Sequence, residues 1–178
     1  KEVCNEITKD INRLNMITQR FSQIGTNPEL LPQNIIPVVQ NAMAYLSSRS
    51  SKKVNFVLNL PQDTEIILPI NQCLIEWTLE NLSKNAIDAM GGIGTLTLDL
   101  TQDSKRVFID VSDTGKGMPK KQFKKVFEAG FTTKERGWGM GLSLAKRIIE
   151  EYHHGKIFVK QSTINRGTTF RIVLKKEE

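Results

Sequence analysis

Apolar residues at the start of the chain recur with helical spacing. Val3, Ile7, Ile11, Leu14, Ile17, Phe21 and Ile24 stand four or three apart, six steps covering 21 residues. The resulting period of 3.5 is that of a coiled-coil or bundle seam, which needs partner helices to cover it. Gly25 and the Asn27-Pro28 pair stop it. After the connector TNPELLPQN, the pattern predicts a helix from Ile36 to Ser48, with Pro37 in its first turn. VNFVLNL (54–60) and EIIL (65–68) read as strands around the turn PQDT. Asn71 is a candidate cap for a long helix reaching Met90, whose buried stripe is Ile75, Thr78, Leu79, Leu82, Ala86 and Ala89. TLTLDL (95–100) and RVFIDVS (106–112) alternate as strands, and residues 114–138 show no clear period. A helix following the glycines buries Leu142, Ala145, Ile148, Ile149 and Tyr152, and KIFVKQS with TTFRIVLKK closes as a hairpin around INRG. Strand pairs joined by tight turns predict an α+β fold, with a mostly antiparallel sheet and helices on one face.

Composition changes this picture little. A chain of 178 residues with 39% hydrophobic and 25% charged residues suits one soluble domain with a short appendage. No apolar run has the length of a membrane span, and no signal-peptide pattern opens the chain. A beginning in mid-helix without Met suggests an excised piece, with any anchor or sensor region elsewhere. Cys4 and Cys73 lie far apart without metal-ligand spacing, which argues against a disulfide framework or a structural metal. The net charge of +6 fits a solvated surface or an anionic partner.

Candidate chemistry is concentrated between residues 80 and 142. In ENLSKNAIDAM (80–90), Asn81, Asn85 and Asp88 share one helix face, away from the apolar stripe. Such a face is either plainly solvated or a hard-oxygen surface for a cation, and an amide oxygen suits Mg2+. DVSDTGKGM (110–118) leaves a strand with Asp113, then Gly115 and Gly117. The carboxylate can accept from an amino group, and glycines admit a flat ring close to the backbone. FEAGFTTKERGWGMGLS (127–143) supplies Phe127 and Phe131, the hydroxyls of Thr132 and Thr133, and the cations Lys134 and Arg136. Gly137, Gly139 and Gly141 run into a helix start, where free N–H groups attract anions. The spacing G-x-G-x-G is neither the dinucleotide fingerprint nor a P-loop.

Taken in order, these segments resemble the boxes of the Bergerat ATP-binding fold, shared by sensor histidine kinases, gyrase-type ATPases, MutL and Hsp90. ENLSKNAIDAM is similar to the N box, DTGKGM to the G1 box, FEAGFTTK to the F box and GWGMGL to the G2 box. The resemblance spans roughly residues 35–175 and implies a two-layer sandwich of a mixed, mostly antiparallel sheet with helices on one face. Within that superfamily, Asn81 replaces the acidic, water-activating residue of the hydrolytic members, and FTTK is a histidine-kinase feature. The resemblance divides the chain into the second helix of a dimerisation and phosphotransfer hairpin (1–30) and a catalytic ATP-binding domain (31–178).

What the resemblance implies is a kinase that binds ATP with Mg2+ and passes the γ-phosphoryl group to a histidine on its dimerisation domain. It further implies a homodimer when full-length, a response regulator as partner, and a cytoplasmic domain of a membrane-anchored protein. Asn85 is the expected Mg2+ ligand, Asn81 supports the phosphates, Asp113 reads the adenine amino group, and Gly115 and Gly117 lie under the ring. Thr132, Thr133 and Lys134 approach the terminal phosphate, and Gly137, Gly139, Met140, Gly141 and Leu142 form the lid hinge. Trp138 and Asp88 depart from the usual pattern and receive no role.

Two other functions compete with this one. One is a hydrolytic ATPase of the same fold using Glu80; the other is a basic nucleic-acid module built on Lys120, Lys121, Lys124 and Lys125. The second lacks interleaved aromatics, and no nucleic-acid partner is expected. His153 and His154, the chain's two histidines, precede Gly155 and lack the acidic neighbour and proline of a phosphoacceptor. They read as a helix end, with Gly155 in a C′-like position and imidazoles favoured by the dipole.

Overall fold

Every second residue from Val107 to Asp113 is buried, and that alternation assigns the inner face of the sheet. The computed structural model describes residues 28–62, 65–132 and 139–176, so the predicted N-terminal seam lies outside the described residues. The elements are β1 (Leu31–Asn34), α1 (Ile35–Arg49), β2 (Val54–Asn59), β3 (Ile67–Ile70), α2 (Gln72–Ala89), β4 (Gly94–Gln102) and β5 (Arg106–Asp113). Then follow α3 (Gly141–Arg147), β6 (Lys156–Thr163) and β7 (Gly167–Lys175). Short 3-10 turns occupy Lys120–Gln122 and Lys125–Phe127, and α3 continues into a wide, π-type turn over Ile148–Tyr152.

Five strands form a mixed sheet in the order β2-β4-β5-β7-β6, antiparallel except for the β2/β4 pair. Leu96, Leu98, Leu100, Ile109, Val111 and Ile172 line its inner face, each at most 1% exposed. Against them pack Leu74, Ile75, Leu79 and Leu82 of α2 together with Ala145, Ile148 and Ile149 from α3 and its continuation. The predicted α+β class and most strand boundaries agree with this architecture. Among the described residues no helix is long and apolar enough to cross a membrane.

The expected hairpin around PQDT does not form. β2 pairs parallel to β4, which requires a crossover, and α2 supplies it. β3 instead pairs antiparallel with β1, a stretch the pattern assigned to a connector. Pro32 and Pro69 face each other in this ribbon, where both strands are edges and a missing N–H is tolerated. Asn34 sets the corner: its Oδ1 accepts from Ile36 N–H, capping α1, and from Ile66 N–H, both at 3.1 Å.

On the sheet's outer face one row of side chains is tied by polar bonds. Asn59 donates to Asp99 at 2.6 Å across the parallel pair. Asp99 stands opposite Asp110, which accepts a two-pronged contact from Arg171 (2.6 and 2.7 Å) and a third bond from Lys160 (2.7 Å). Burial works against the Asp110 carboxylate, but the bonds from Arg171 and Lys160 prevail and hold its pKa below the ordinary value. A carboxylate with a depressed folded pKa stabilises above its unfolded value, and that stability fades as pH falls through the folded one. We expect Asp110→Asn to cost about 1–3 kcal/mol near neutral pH, with the deficit shrinking under acid, as read from denaturant melts across pH.

Candidate active site

The helix α2 brings an amide face to the end of the sheet because its ends are firmly defined. Asn71 caps it, with Oδ1 accepting from Leu74 N–H at 3.2 Å. A pair of glycines stops it: Gly92 N–H reaches Ile87 O and Gly91 N–H reaches Asp88 O, with positive φ at both. The Ala89 carbonyl then accepts from Lys116 N–H at 3.0 Å, tying the loop after β5 to the helix end. A Cβ at Gly115 would lie 2.5 Å from that carbonyl, so this position must be bare for the helix and loop to meet.

β5 delivers Asp113 as the last member of its core-facing row. Burial raises the pKa of this carboxylate, and backbone N–H bonds from Gly115 (Oδ1, 2.7 Å) and Thr168 only partly offset the cost. Around it opens a cleft of about 530 Å³. Its floor and one side hold Asp113, Gly117, Thr168 and the end of α2 with Asn85. Val126, Phe131, Leu142 and Phe170 give it apolar walls, and Gly139, Met140 and Gly141 bound it where α3 begins. Behind this wall the Phe127 ring meets Phe170 edge to face, with centroids 6.0 Å apart.

The structure thus brings Asn85, Asp113, Gly117, Thr132, Gly139, Met140, Gly141 and Leu142 to one cleft. Gly115 does not line it and serves the helix contact instead. Asn81 lies beside its edge: Oδ1 is 3.4 Å from the position of a Gly141 Cβ, and Nδ2 is buried without a partner among the described residues. Thr133, Lys134 and Gly137 lie outside the described residues. Glu80 is buried, pairs with Lys84 at 3.1 Å and is absent from the cleft wall.

Sequence reasoning missed Met118, Gln122, Thr168 and Phe170. The last two come from β7, far along the chain from the motif cluster. A signal existed in the turn INRG: Gly167 has φ +92, and its Cβ would stand 1.8 Å from Asp113 O. The β6–β7 turn therefore presses directly on the Asp113 loop, held there by Asn165 N–H to Lys116 O (2.8 Å) and Met118 N–H to Ser162 Oγ (2.8 Å).

An acceptor carboxylate at the base of an apolar slot, with amide groups and glycine backbone at its mouth, suits a flat ring bearing an amino group and an anionic tail. Neither histidine lines the cleft. His153 is buried, and the left-handed position at the helix end belongs to His154 (φ +50), not to Gly155. Burial lowers the His153 pKa, so it does not act as the cation the dipole reading implied.

A family model described as histidine kinase-, DNA gyrase B-, and HSP90-like ATPase matches residues 72–178. The sensor protein TdiS of Thauera aromatica is 35% identical over 156 residues, covering 83% of this chain and 28% of TdiS. The chain thus spans less than a third of that curated relative's length. The solved catalytic domain of histidine kinase ThkA superimposes with a TM-score of 0.74 at 27% identity, covering 83% of this chain and 96% of that domain. ThkA solved in complex with the response regulator protein TrrA has the same fold, with a TM-score of 0.74 at 24% identity over 99% of this chain and 51% of that one.

The glycine contacts separate two substitutions. Gly167→Ala should lose about 1–3 kcal/mol from its positive φ alone and shift the turn off Asp113. Gly141→Ala, whose Cβ meets only Asn81 among the described residues and at ordinary contact distance, should melt within about 1 kcal/mol of the parent. Paired thermal melts read both.

Proposed function

This chain belongs to the histidine kinase-, DNA gyrase B- and HSP90-like ATPase family, and from that premise we propose that it is the ATP-binding catalytic part of a sensor histidine kinase. The observation that carries the reading is the buried Asp113 carboxylate, desolvated and under-compensated at the base of a ring-sized apolar cleft. The adenine amino group would supply the donor it lacks, with the Gly117 backbone beside the ring and Phe131, Leu142 and Phe170 flanking it. Gly117 itself is bare because a Cβ there would lie 2.1 Å from Thr163 O at the end of β6. The backbone at Gly139–Leu142 would meet the phosphates, and Nδ2 of Asn81, without a partner among the described residues, would be a donor beside them. Lys134, Thr132 and Thr133 would complete the terminal-phosphate end.

Among the described residues no three His, Cys, Asp or Glu side chains converge as a metal cage. Mg2+ would need none here, since one amide oxygen and substrate phosphates suffice, and Asn85, which lines the cleft, is the residue proposed to hold it. The ion would offset the negative charge of the phosphates. The protein's part in phosphoryl transfer is then largely positioning and charge stabilisation.

Transfer is favoured over hydrolysis because Glu80 is held by Lys84, out of the cleft, and Asn81 takes the place near Gly141. An amide cannot act as a general base toward water. The acceptor histidine is proposed to lie on the dimerisation domain, of which residues 1–30 are proposed to be a part. The wider proposal includes a homodimer, any membrane anchor lying outside these residues, and, by analogy with ThkA in its complex with TrrA, a response regulator partner.

A nucleotide titration of the 178-residue chain, followed by calorimetry, tests the site. Asp113→Asn should weaken Mg-ATP binding by at least about tenfold, yet melt no lower than the parent near neutral pH. The sign follows from the raised pKa: the empty site is most stable below the unfolded value and loses stability as pH rises through the folded one. Unchanged affinity would remove Asp113 from the site. With γ-labelled ATP the chain alone should gain no phosphate, and label on His153 or His154 would contradict the assignment. Steady ATP turnover abolished by Glu80→Gln would favour the hydrolytic reading.

A further inference from the structure

His153 is buried, lies away from the cleft and makes two directional bonds. Its Nε2 accepts from the backbone N–H of Asn71 at 3.1 Å. An acceptor nitrogen carries no proton in the neutral ring, so Nδ1 bears it and donates to Ile148 O at 2.8 Å. The same carbonyl closes the wide turn by accepting from His153 N–H at 3.1 Å. The imidazole thus joins the far end of the α3 segment to the residue that caps α2. Asn71 also donates from Nδ2 to Glu29 O at 3.3 Å, so the incoming chain meets the same point.

The two helical segments run past each other in opposite directions, since Asn71 meets His153 at one end and Asn81 meets Gly141 at the other. Ten residues separate Asn71 from Asn81, and twelve separate Gly141 from His153. At 1.5 Å per residue these spans are about 15 and 18 Å, comparable lengths. The apolar packing between the segments fixes their separation but contains no directional bond. A directional bond at the far end sets the axial register.

We infer that His153 is a positioning residue: its imidazole clamps the end of the α3 segment to the cap of α2 and thereby sets the distance between Asn81 and Asn85 on one wall and Gly139–Leu142 on the other. This rests on the nucleotide-site reading above. The clamp needs the neutral ring, which burial of His153 favours, with its proton on Nδ1, which the two bonds select.

Three versions of the 178-residue chain test the clamp by titration with Mg-ATP and by thermal melting. His153→Phe fills the space but has no acceptor for Asn71 N–H. His153→Gln returns an acceptor near the Nε2 position while losing the ring. The Phe variant should bind Mg-ATP about tenfold more weakly, and the Gln variant within about threefold of the parent, even if both melt lower. Parental affinity in a folded His153→Phe, or equal weakening in both variants, overturns the clamp while the site reading stands. If the parent binds no adenine nucleotide, the site reading fails instead. Nitrogen NMR of the unmutated protein decides the geometry independently of folding or binding: a protonated Nδ1 and bare Nε2 at neutral pH support the clamp, and the opposite tautomer overturns it.

Discussion

The structure depends on how α2 is held against the inner face of the sheet. Its apolar stripe (Leu74, Ile75, Leu79, Leu82) is sealed against β4, β5 and β7, so its amide face can turn only toward the sheet's end. As the crossover between β2 and β4 it also makes that strand pair parallel. Its Schellman-type stop frees the Ala89 carbonyl for the loop that follows β5. Core, topology and cleft wall thus follow from one buried stripe with two defined ends.

A second constraint is the cost accepted at Asp113. The core-facing row of β5 would be most stable ending on another apolar residue, and it ends on a carboxylate. Neighbouring backbone donors offset part of the desolvation, and the raised pKa records what is left. Local rules of folding are broken most informatively where a ligand supplies the missing partner. The contrast with Asp110 is instructive. That carboxylate, three residues earlier, projects from the other face, meets Arg171 and Lys160, and is held below the usual range. Strand alternation separates the ion-paired aspartate from the one proposed to meet the ligand.

Much of this was legible in the chain. Period-3.6 and period-2 patterns located α1, α2 and the strands of the five-stranded sheet, because burial of one face leaves its mark at every third or fourth position of a helix and every second of a strand. Asn85, Asp113 and Gly139–Leu142 were readable as a set, since each sits at a helix face, strand end or helix start whose local geometry is encoded nearby. Other features were not readable. LPQN looked like a connector because Pro32 and Pro69 argue against strands, yet a two-stranded ribbon accepts both. Gly115 looked like a ring contact and proved to be where helix and loop backbones meet. Thr168 and Phe170 carried no motif, because their part depends on β7 pairing beside β5.

What the sequence determined by itself is therefore local: helix faces, caps, strand alternation, and the order of the candidate groups. Tertiary structure decided the pairings and distances, namely that β2 runs parallel to β4 and that the β6–β7 turn presses on Asp113. It also brought the His153 ring against the cap of α2, where its position before Gly155 had suggested only a helix end facing the dipole. The physical reason is range. Backbone sterics and side-chain periodicity act within a few residues, whereas desolvation and hydrogen-bond partnership depend on whatever neighbour the whole fold brings alongside.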